Sequence, residues 1–526
     1  MRRITCAAAM LLAGTPCAAR EPETQPFDKA PYARVLYVSQ AGGADTPQAG
    51  TMQAPLRSVR YALTRSGDAE PSGRIAIVVA EGNYREPNLA LKPGVDLYGG
   101  FQAGTWRRDV VEFASVLDGG GTGRVLIGSD AARLDGFRLR NGRVSGPGGA
   151  LLCDGVSPTI TNNVFENNRT LTPRPWNPKA LHEDANDGGA IACNNGCRAV
   201  VANNLFVRNA TETGRGGAIA VNRSSPEIRE NVVLENSAGL ADPMRSSDGG
   251  GISIYDHSRP LLRDNLIIAN RTIASNDGGG IFVALWSSPV IQSNVLAGNY
   301  GDDDGGALFV GGQKHHYGTP KDVPPPAGEF LVTLTGNLFA GNRHGSTNSG
   351  TMRVTMESRV RMTGNLMVQN PGGLNLQASD IAAERNTILD PVHVRPPGQV
   401  SFANSILRGG FRADGEVAVR HCATLEETAG EGNTNAAPKF ADDGASWVAA
   451  KAVYDARRFR TTFTLPPGTA LPAHPEGRPV RFGDRWSVVQ SVVPGGLAVW
   501  GDLSAQRWLE LPPSYTLKEK LPGVEF

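Results

Sequence analysis

Residues 231–236 read NVVLEN, with two asparagines that enclose a short, mostly apolar stretch. The same pattern recurs as NVFENN (163–168), NLFVRN (204–209), NLIIAN (265–270), NVLAGN (294–299), NLFAGN (337–342) and NLMVQN (365–370). Seven copies are too many to arise by chance, so the pattern marks a repeated structural unit.

Spacing and alternation identify the kind of unit. The first asparagines of successive copies are 41, 27, 34, 29, 43 and 28 residues apart, so a short unit carries insertions of variable length. Apolar and polar residues alternate with period two, as in SSPEIRENVVLEN (224–236), which indicates strands. Three short strands cannot bury their own apolar face and must stack on neighbouring units. The sequence therefore predicts a parallel solenoid with rungs about 4.8 Å apart.

The repeats also resemble a known family. FENN (165–168), FVRN (206–209), GGAIAC (188–193) and GGAIAV (216–221) are similar to elements of right-handed parallel β-helix proteins. They are most similar to polymorphic outer-membrane protein repeats and the wider pectate-lyase-like superfamily. The resemblance covers residues 118–410 and implies an all-β, three-sheet right-handed parallel β-helix.

This layout assigns a position to the asparagines. The first asparagine of each copy would occupy the tight turn between the second and third strands, tolerate left-handed backbone and stack into a side-chain ladder. Replacing Asn265 should then cost far more stability than replacing Asn276, which falls in a loop. The insertions at 169–186, 237–247 and 271–276 would follow the third strand, where related enzymes build their substrate cleft.

The ends of the chain differ from the repeats. Residues 1–19 combine two arginines, an apolar run and small residues, which predicts a signal peptide; a buried helix is the alternative. Residues 20–117 resemble an N-terminal cap with first rungs, in which the strand Leu36–Val38 precedes a capping helix that carries Leu56, Val59 and Leu63. Residues 411–526 predict a small β-rich C-terminal cap or module with a hairpin at PGG (494–496).

Overall charge excludes one class of partner. The 52 basic and 51 acidic residues give a formal charge of +1, which provides no general attraction to nucleic acid. After the signal peptide, no run of about 20 apolar residues predicts a transmembrane helix. We expect a secreted, periplasmic or cell-surface monomer whose partner is a polysaccharide or another glycan.

Four cysteines follow the signal peptide, too few to define a disulfide scaffold. Cys193 and Cys197 could close a small loop. Cys153 competes for Cys193, because the repeat alignment places both at one inward position. Cys422 lies far from the other three in sequence.

Acidic residues recur before paired glycines. Aligning these elements gives one column: Pro147, Asp187, Arg215, Asp248, Asp277, Asp304 and Asn348. Asp before Gly is a favoured turn pair that needs no ligand. Alternatively, Asp248, Asp277 and Asp304, with Asp303 beside them, form a row of carboxylates that binds a cation, for which Ca²⁺ suits oxygen ligands best.

Aromatic residues lie beside this column, at Tyr255, Phe282, Trp286 and Phe309. If their rings are exposed, they can stack against sugar rings. Alternatively, the long loops cover Phe282 and Phe309 as a satellite core. The sequence pattern does not separate these two possibilities.

Candidate proton carriers complete the predicted site. The insertion 311–329 contains Lys314, His315 and His316, which could serve as bases unless it is only a solvated loop. With Arg215 or Arg353 binding a uronate carboxylate, these residues would support β-elimination. The rival chemistry is glycoside hydrolysis, by Asp277 with Asp304 on adjacent rungs or by Asp248 with Asp304 two rungs apart.

Three classes of function fit these features. A secreted polysaccharide-active enzyme, either lyase-like or a glycoside hydrolase, accounts for the export signal, acids and aromatics together. A non-catalytic surface adhesin or glycan-binding protein and a purely structural scaffold are the alternatives. The pectate lyase and polygalacturonase signatures are absent, so the sequence leaves the substrate open.

Overall fold

The computed structural model describes residue 22 and residues 24–67, 73–172, 186–241, 247–312, 330–346 and 349–524. The predicted signal peptide and Lys314, His315 and His316 lie outside these ranges. The described chain is almost entirely β-structure, with the single helix Val59–Ser66. No helix among the described residues is long and apolar enough to cross a bilayer.

The central architecture is a stack of rungs whose strands form four parallel sheets, numbered here in the order in which each rung enters them. Over the described residues, sheets 1, 2, 3 and 4 contain 12, 14, 13 and 7 strands. The predicted all-β parallel β-helix is confirmed. Sheet 4 is an addition to the three predicted sheets, because the chain pairs briefly with its neighbours at the start of each predicted insertion.

The strands have the following bounds. Sheet 1 consists of Leu89–Ala90, Leu126–Ile127, Leu151–Asp154, Ile191–Asn194, Ile219–Asn222, Ile252–Tyr255, Ile281–Val283, Leu308–Val310, Met352–Val354, Leu374–Gln377, Val392–Arg395 and Phe411–Ala413. Sheet 2 consists of Tyr32–Val38, Arg74–Ala80, Val95–Phe101, Arg133–Asp135, Thr159–Thr161, Val200–Ala202, Glu227–Arg229, Leu261–Arg263, Val290–Gln292, Val332–Thr335, Arg359–Thr363, Asp380–Glu384, Val400–Ala403 and Val417–Arg420. Sheet 3 consists of Gly82–Tyr84, Ser115–Asp118, Phe137–Arg140, Val164–Glu166, Leu205–Val207, Val232–Leu234, Leu266–Ile268, Val295–Ala297, Leu338–Ala340, Leu366–Val368, Thr387–Ile388, Ile406–Leu407 and Ala423–Thr424. Sheet 4 consists of Arg143–Val144, Arg169–Thr170, Ala210–Thr211, Ser237–Ala238, Arg271–Thr272, Tyr300–Gly301 and Arg343–His344.

The predicted asparagine column is confirmed, and it lies at the turn between sheets 2 and 3. Asn265 Oδ1 accepts hydrogen bonds from the backbone N–H and the side-chain Nδ2 of Asn231, both at 3.0 Å. Asn265 in turn donates to Asn294 Oδ1 from its backbone N–H at 3.0 Å and from Nδ2 at 2.8 Å. Successive bonds of this kind join Asn163, Asn204, Asn231, Asn265, Asn294, Asn337 and Asn365, and continue to Asn386.

The second asparagine of each repeat forms a parallel ladder at the end of sheet 3. It joins Asn168, Asn209, Asn236, Asn270, Asn299, Asn342 and Asn370, and it ends on the carboxylate of Asp390. Both ladders satisfy turn amides that burial would otherwise leave without partners.

One detail of the predicted turns is wrong, and the predicted loop residue Asn276 is more buried than a loop position implies. The left-handed backbone falls on the residue before each first-ladder asparagine, as at Glu230 (φ 56°) and Asp264 (φ 58°), which frees the asparagine to point inward. Asn276 is 1% exposed, accepts from the backbone N–H of Ser247 at 2.9 Å and donates to the carbonyl of Ile273. Asn276 therefore carries buried hydrogen bonds, although it lies between strands.

The N-terminal cap closes one end of the core. Helix Val59–Ser66 begins after Ser58, whose hydroxyl accepts the backbone N–H of Tyr61 at 3.1 Å. The predicted residues Val59 and Leu63 are buried on its inner face. Leu56 is buried as well but precedes the helix, where it bridges the strand residue Val38.

The C-terminal module is an antiparallel sheet. Its strands are Ala445–Val448, Lys451–Asp455, Arg460–Thr464, Pro479–Phe482, Arg485–Val493, Gly496–Trp500 and Trp508–Leu511, all within the described residues. The hairpin predicted at PGG joins the fifth and sixth of them. The solenoid itself continues to Thr424, beyond the predicted boundary at residue 410.

The module lies along the side of the solenoid instead of covering its end. Phe459, Val488 and Trp500 form one buried cluster with outward apolar residues of four sheet 3 strands: Leu205, Val207, Val232, Leu234, Leu266, Ile268, Val295 and Ala297. Trp486 packs against Ala340 and Val368 on two further strands. The module thus covers six strands of sheet 3.

Candidate functional site

The outer face of sheet 1 carries the predicted site. In register, its outward residues are Leu152, Ala192, Ala220, Ser253, Phe282, Phe309, Arg353, Asn375, His393 and Arg412. The predicted alignment as far as Arg353 is confirmed. The last three rungs were not predicted, and they change the face from apolar to polar.

The acid column also stacks as predicted along the mouth of sheet 1. The glycine after each member donates its backbone N–H to the carbonyl of the next member, from Asp187 through Arg215, Asp248 and Asp277 to Asp304. Asn348 lies outside the described residues, and Gly305 donates to the carbonyl of Gly350.

The carboxylates of this column bond the backbone of the next rung. Asp248 Oδ1 accepts from the backbone N–H of Asp277 at 2.9 Å, and Asp277 Oδ1 accepts from that of Asp304 at 3.0 Å. Asp248 and Asp277 are only 2% and 3% exposed. Burial, reinforced by the carboxylates of Asp248 and Asp304, raises the pKa of Asp277 well above its usual range. Burial therefore favours the protonated form of Asp277.

These contacts bear on the predicted calcium site at Asp248, Asp277, Asp303 and Asp304. Calcium needs several ionised oxygens that converge on one point. Two of the four carboxylates are instead committed to amides along the solenoid axis. Over the described ranges, no three His, Cys, Asp or Glu side chains are grouped to hold a metal ion. Calcium binding at these aspartates stays a prediction that the arrangement of their side chains does not favour.

Hydrolysis meets a similar obstacle. A glycosidase needs two carboxyl groups that both reach the scissile bond. Asp304 reaches the surface, with its side chain 18% exposed, but Asp277 and Asp248 on the two preceding rungs are buried. Neither predicted pair presents two accessible carboxyl groups.

Arg215 lies in a buried network and not in an open cleft. Its Nη2 is 2.6 Å from Asp187 Oδ2, and both side chains are 5% exposed. Its guanidinium stacks on the ring of Tyr255, 3.7 Å from the ring centroid. Asn222 donates to Asp187 Oδ2 at 3.1 Å. As folded, Arg215 and Tyr255 bind each other and do not reach the surface where a polysaccharide would lie.

The other predicted sugar-stacking residues form a satellite core. Phe282 and Phe309 are 0% and 1% exposed and stack on each other, with ring centroids 5.3 Å apart. Trp286 is half-buried and meets Phe330 edge to face at 5.7 Å. Of the two alternatives for Phe282 and Phe309, the structure shows the satellite core, because the chain covers both rings. Their predicted role in substrate binding would need that cover to move.

Arg353 begins a polar row that continues over the next three rungs. Its Nε lies 3.6 Å from Asp304 Oδ2, and its guanidinium donates to the side chains of Asn375 and Gln377. Burial lowers the pKa of Arg353, although Asp304 opposes the shift. This arginine is therefore partly desolvated and already held by polar side chains, with an edge at the surface.

The row ends in a charged cluster. His393 Nε2 lies 2.8 Å from Asp414 Oδ2 and 3.5 Å from Arg395 Nε. Arg412 Nε lies 3.1 Å from the other oxygen of Asp414, and its side chain is 73% exposed. The alternating segments LNLQ (374–377) and VHVR (392–395) were the available signal for this cluster. VHVR follows no glycine pair, and the pair before LNLQ, Gly372 and Gly373, is preceded by Pro371 and not by an acid.

A second histidine stands near the acid column. His344 belongs to sheet 4 and is half-buried. Burial lowers the pKa of His344, while the nearby charges of Asp304 and Asp303 oppose the shift. The imidazole of His344, near Asp304 and Asp303, adds a described candidate proton acceptor to the three predicted in the insertion 311–329.

Comparison with known proteins agrees with this architecture. Residues 108–302 match the family described as right handed beta helix region. No curated protein matches the chain.

Three solved structures are distantly similar. The GH136 lacto-N-biosidase from Eubacterium ramulus is 12% identical, covering 73% of this chain and 68% of that one, with a TM-score of 0.30. The tailspike of E. coli bacteriophage HK620, solved with a pentasaccharide, is 10% identical over 91% and 93%, with a TM-score of 0.28. Tailspike gp49 of Acinetobacter baumannii bacteriophage Fri1, a capsular polysaccharide depolymerase, is 10% identical over 94% and 90%, with a TM-score of 0.27. Likenesses this distant do not inform on activity. The parallel sheets and the family match together identify residues 108–302 as a right-handed β-helix region.

Proposed function

We propose that the protein is an exported carbohydrate-active protein that binds an acidic polysaccharide along the outer face of sheet 1. The observation that carries this proposal is the polar row, which places Arg353, Arg395 and Arg412 within four successive rungs. Arg353 and Arg412 lie in one column three rungs apart, with rungs spaced by about 4.8 Å, and Arg395 lies between them, two residues along the strand from His393. An acidic polymer that follows the solenoid axis can meet these cations in turn.

Arginine suits such a ligand. A planar guanidinium binds a carboxylate through two parallel hydrogen bonds. Arg353 is partly desolvated, so an anion there is attracted more strongly than by a fully hydrated side chain. Gln377, which is half-buried and accepts from Arg353, adds an amide group that can bond a sugar hydroxyl. The overall charge of +1 makes this row a local feature and not part of a generally basic surface.

Cleavage of that polymer by β-elimination is the reaction we assign to the site. A base takes the proton at C5 of a uronate, the C4–O bond breaks, and the leaving oxygen takes up a proton as a C4–C5 double bond forms. Arg353 would neutralise the uronate carboxylate, which stabilises the charge that develops after proton removal. His393 and His344 are the described candidate bases, beside the predicted Lys314, His315 and His316.

A non-catalytic glycan-binding adhesin is the second candidate. His393 is bonded to Asp414 and close to Arg395, and this held arrangement suits binding as well as it suits proton transfer. Both candidates predict retention of acidic polysaccharides, but only the enzyme releases products with unsaturated ends.

The test is a glycan array of acidic and neutral polysaccharides, followed by ultraviolet assay of each bound polymer for unsaturated ends. We expect binding of acidic polymers that weakens as salt is added. Arg353→Gln should reduce that binding about tenfold, the loss of one charge-assisted contact of about 1.4 kcal/mol. Arg385→Gln, on another face with its side chain 47% exposed, is the matched control. Binding of neutral glycans alone, or equal loss in both variants, would refute the proposal.

A further inference from the structure

Three of the four described cysteines meet inside the solenoid. Cys153, Cys193 and Cys197 are each 0% exposed, and side-chain hydrogen bonds link each thiol to the other two. All are free thiols in this structure, as is Cys422, which is buried elsewhere in the core. Three contacting thiols are more than apolar packing requires, and the proposed function uses none of them.

Two of the three share one position on adjacent rungs. Cys153 and Cys193 are direct partners in the parallel pairing of Leu151–Asp154 with Ile191–Asn194. Paired parallel strands lie about 4.8 Å apart, which falls inside the range of about 4.4–6.8 Å between the Cα atoms of a disulfide. Both side chains point into the core from strands that the sheet holds in register.

We propose that Cys153 and Cys193 form a disulfide across the two rungs, with Cys197 as a third thiol that can exchange with it. Each cysteine loses its thiol proton as the S–S bond forms, and the two electrons reduce a disulfide oxidant of the glutathione type to two thiols. Because the site is dry, oxidation takes place during folding, before the rungs close over the sulfur atoms.

The competing pair, Cys193 with Cys197, is disfavoured by its local geometry. Cys197 follows a turn in which Asn195 and Gly196 have φ values of 55° and 87°. Its backbone N–H is bonded to the carbonyl of Asn194 at 3.3 Å and to Ser224 Oγ at 3.2 Å. Hydrogen bonds already hold this turn without a covalent link. A Cys193–Cys197 disulfide would constrain only a very short loop of the unfolded chain.

The Cys153–Cys193 pair constrains far more of the unfolded chain, because a disulfide restricts it more when the closed loop is long. The enclosed segment contains the predicted insertion 169–186 and ends just after Asp187. The bond would therefore fix the two rungs that bracket this insertion, beneath the Asp187–Arg215 network on the outer face.

Cys197 is the group that can reopen this bond. In the reduced cluster the sulfur of Cys197 contacts those of Cys153 and Cys193, so it lies within reach of the proposed bond. Attack on Cys193 would release Cys153 and leave a Cys193–Cys197 bond. The cluster thus has one preferred pairing and one built-in alternative.

Two-step labelling of the chain that follows the predicted signal peptide tests the pairing. The protein is folded with oxidised and reduced glutathione, unfolded with one alkylating reagent, then reduced and labelled with a second, and its peptides are identified by mass spectrometry. We expect the first label on Cys197 and Cys422 and the second on Cys153 and Cys193. The first label on all four cysteines, or a Cys193–Cys197 link in the native sequence, overturns the proposal.

Cysteine variants provide a second test of the pairing, independent of the labelling of the wild type. Reduction should lower the Tm of the wild type and of the control Cys422→Ala by similar amounts. Cys153→Ala should lose the second label at Cys193 or show it shared with Cys197. A Cys153→Ala variant that keeps the wild-type drop in Tm on reduction would contradict the proposal. If that variant does not fold, the labelling of the wild type decides alone.

Discussion

The carboxylate of Asp277 accepts a hydrogen bond, at 3.0 Å, from the backbone N–H of Asp304 on the following rung. Asp277, predicted as a metal ligand, therefore serves as a hydrogen-bond acceptor for the main chain. The same arrangement links Asp248 to Asp277 and Asp187 to Arg215. At the mouth of sheet 1, aspartate side chains accept hydrogen bonds from the backbone of the adjacent rung, as asparagine side chains do in the two ladders.

Replacing Asp277 by Asn should not destabilise the protein at alkaline pH, since the amide oxygen can accept the same hydrogen bond. The raised pKa of Asp277 means that the folded state holds a proton that the unfolded state has lost. The wild type therefore loses stability as the pH rises above about 4, the ordinary pKa of an aspartate carboxyl group. The variant has no carboxyl group at this position and should not show that loss. Urea unfolding at about pH 5 and about pH 8 checks this. A variant less stable than wild type at the higher pH would show that the charged carboxylate is required.

Calcium removal tests whether the aspartates at the mouth of sheet 1 bind Ca²⁺ or only stabilise turns. If Asp248, Asp277, Asp303 and Asp304 bind Ca²⁺, EDTA should lower both the Tm and the binding of acidic glycan, and excess Ca²⁺ should restore them. Asp304→Asn should abolish the response to Ca²⁺, because Asp304 has the exposed carboxylate. Identical Tm and binding in EDTA and in Ca²⁺ would remove the metal from the site.

The asparagine ladder predicts a large cost at Asn265. Asn265→Leu removes side-chain bonds to Asn294 and Ile228 and leaves the Asn231 amide without its acceptor, at 1% exposure. We expect a loss of about 1–3 kcal/mol in the free energy of unfolding. Asn435→Leu is the appropriate control, since Asn435 is exposed and Asn276 is not. Equal costs at the two positions would mean that the ladder contributes nothing.

The second ladder ends on an acid that should make stability depend on pH. Asp390 is 4% exposed and accepts two bonds from Asn370, yet burial raises its pKa to about 6. The folded pKa lies above the unfolded value, so stability should fall by up to about 3 kcal/mol as the pH rises from about 4 to about 6. Asp390→Asn should remove this fall, as measured by urea unfolding across that range. A pH profile unchanged by the substitution would contradict the assignment.

Contact between the module and the solenoid depends on Gly341. A Cβ added there would lie 2.1 Å from Trp486 Cε2, whereas one added at Gly483 meets nothing within 4 Å. The two glycines have similar φ values of 62° and 59°, so both pay the same backbone strain of about 1 kcal/mol on change to alanine. Gly341→Ala should cost about 1–3 kcal/mol more, from overpacking. Thermal unfolding of the two variants compares them, and equal losses would mean that Trp486 shifts freely.

Much of the scaffold could be predicted because the rungs repeat. Each asparagine pair fixes one turn from a few neighbouring residues, so the register of Asn163 through Asn365 follows from local sequence. The aromatic residues were not predictable in the same way. Whether Phe282 and Phe309 are exposed depends on the chain that covers them, and loop paths leave no periodic signal.

The polar row shows a second limit of prediction from the sequence. His393 lies in a rung that lacks the glycine pair, and the pair before Arg412, Gly409 and Gly410, follows Arg408 and not an acid. Strand alternation alone would have placed them on the outer face, but only the observed register brings them into line with Arg353. The bond from Asp414 to His393 joins two rungs and has no signature in either segment.

The lateral position of the C-terminal module has a consequence for how the chain unfolds. In a solenoid whose rungs touch only their neighbours, opening spreads inward from the ends, one rung at a time. Here a single sheet contacts six successive strands of sheet 3, from Leu205 to Val368. No rung in that span can open without breaking its contact with a sheet that the other five still hold. The middle of the solenoid should therefore behave as one cooperative block with a shared free energy of amide exchange, flanked at either end by rungs that fray independently.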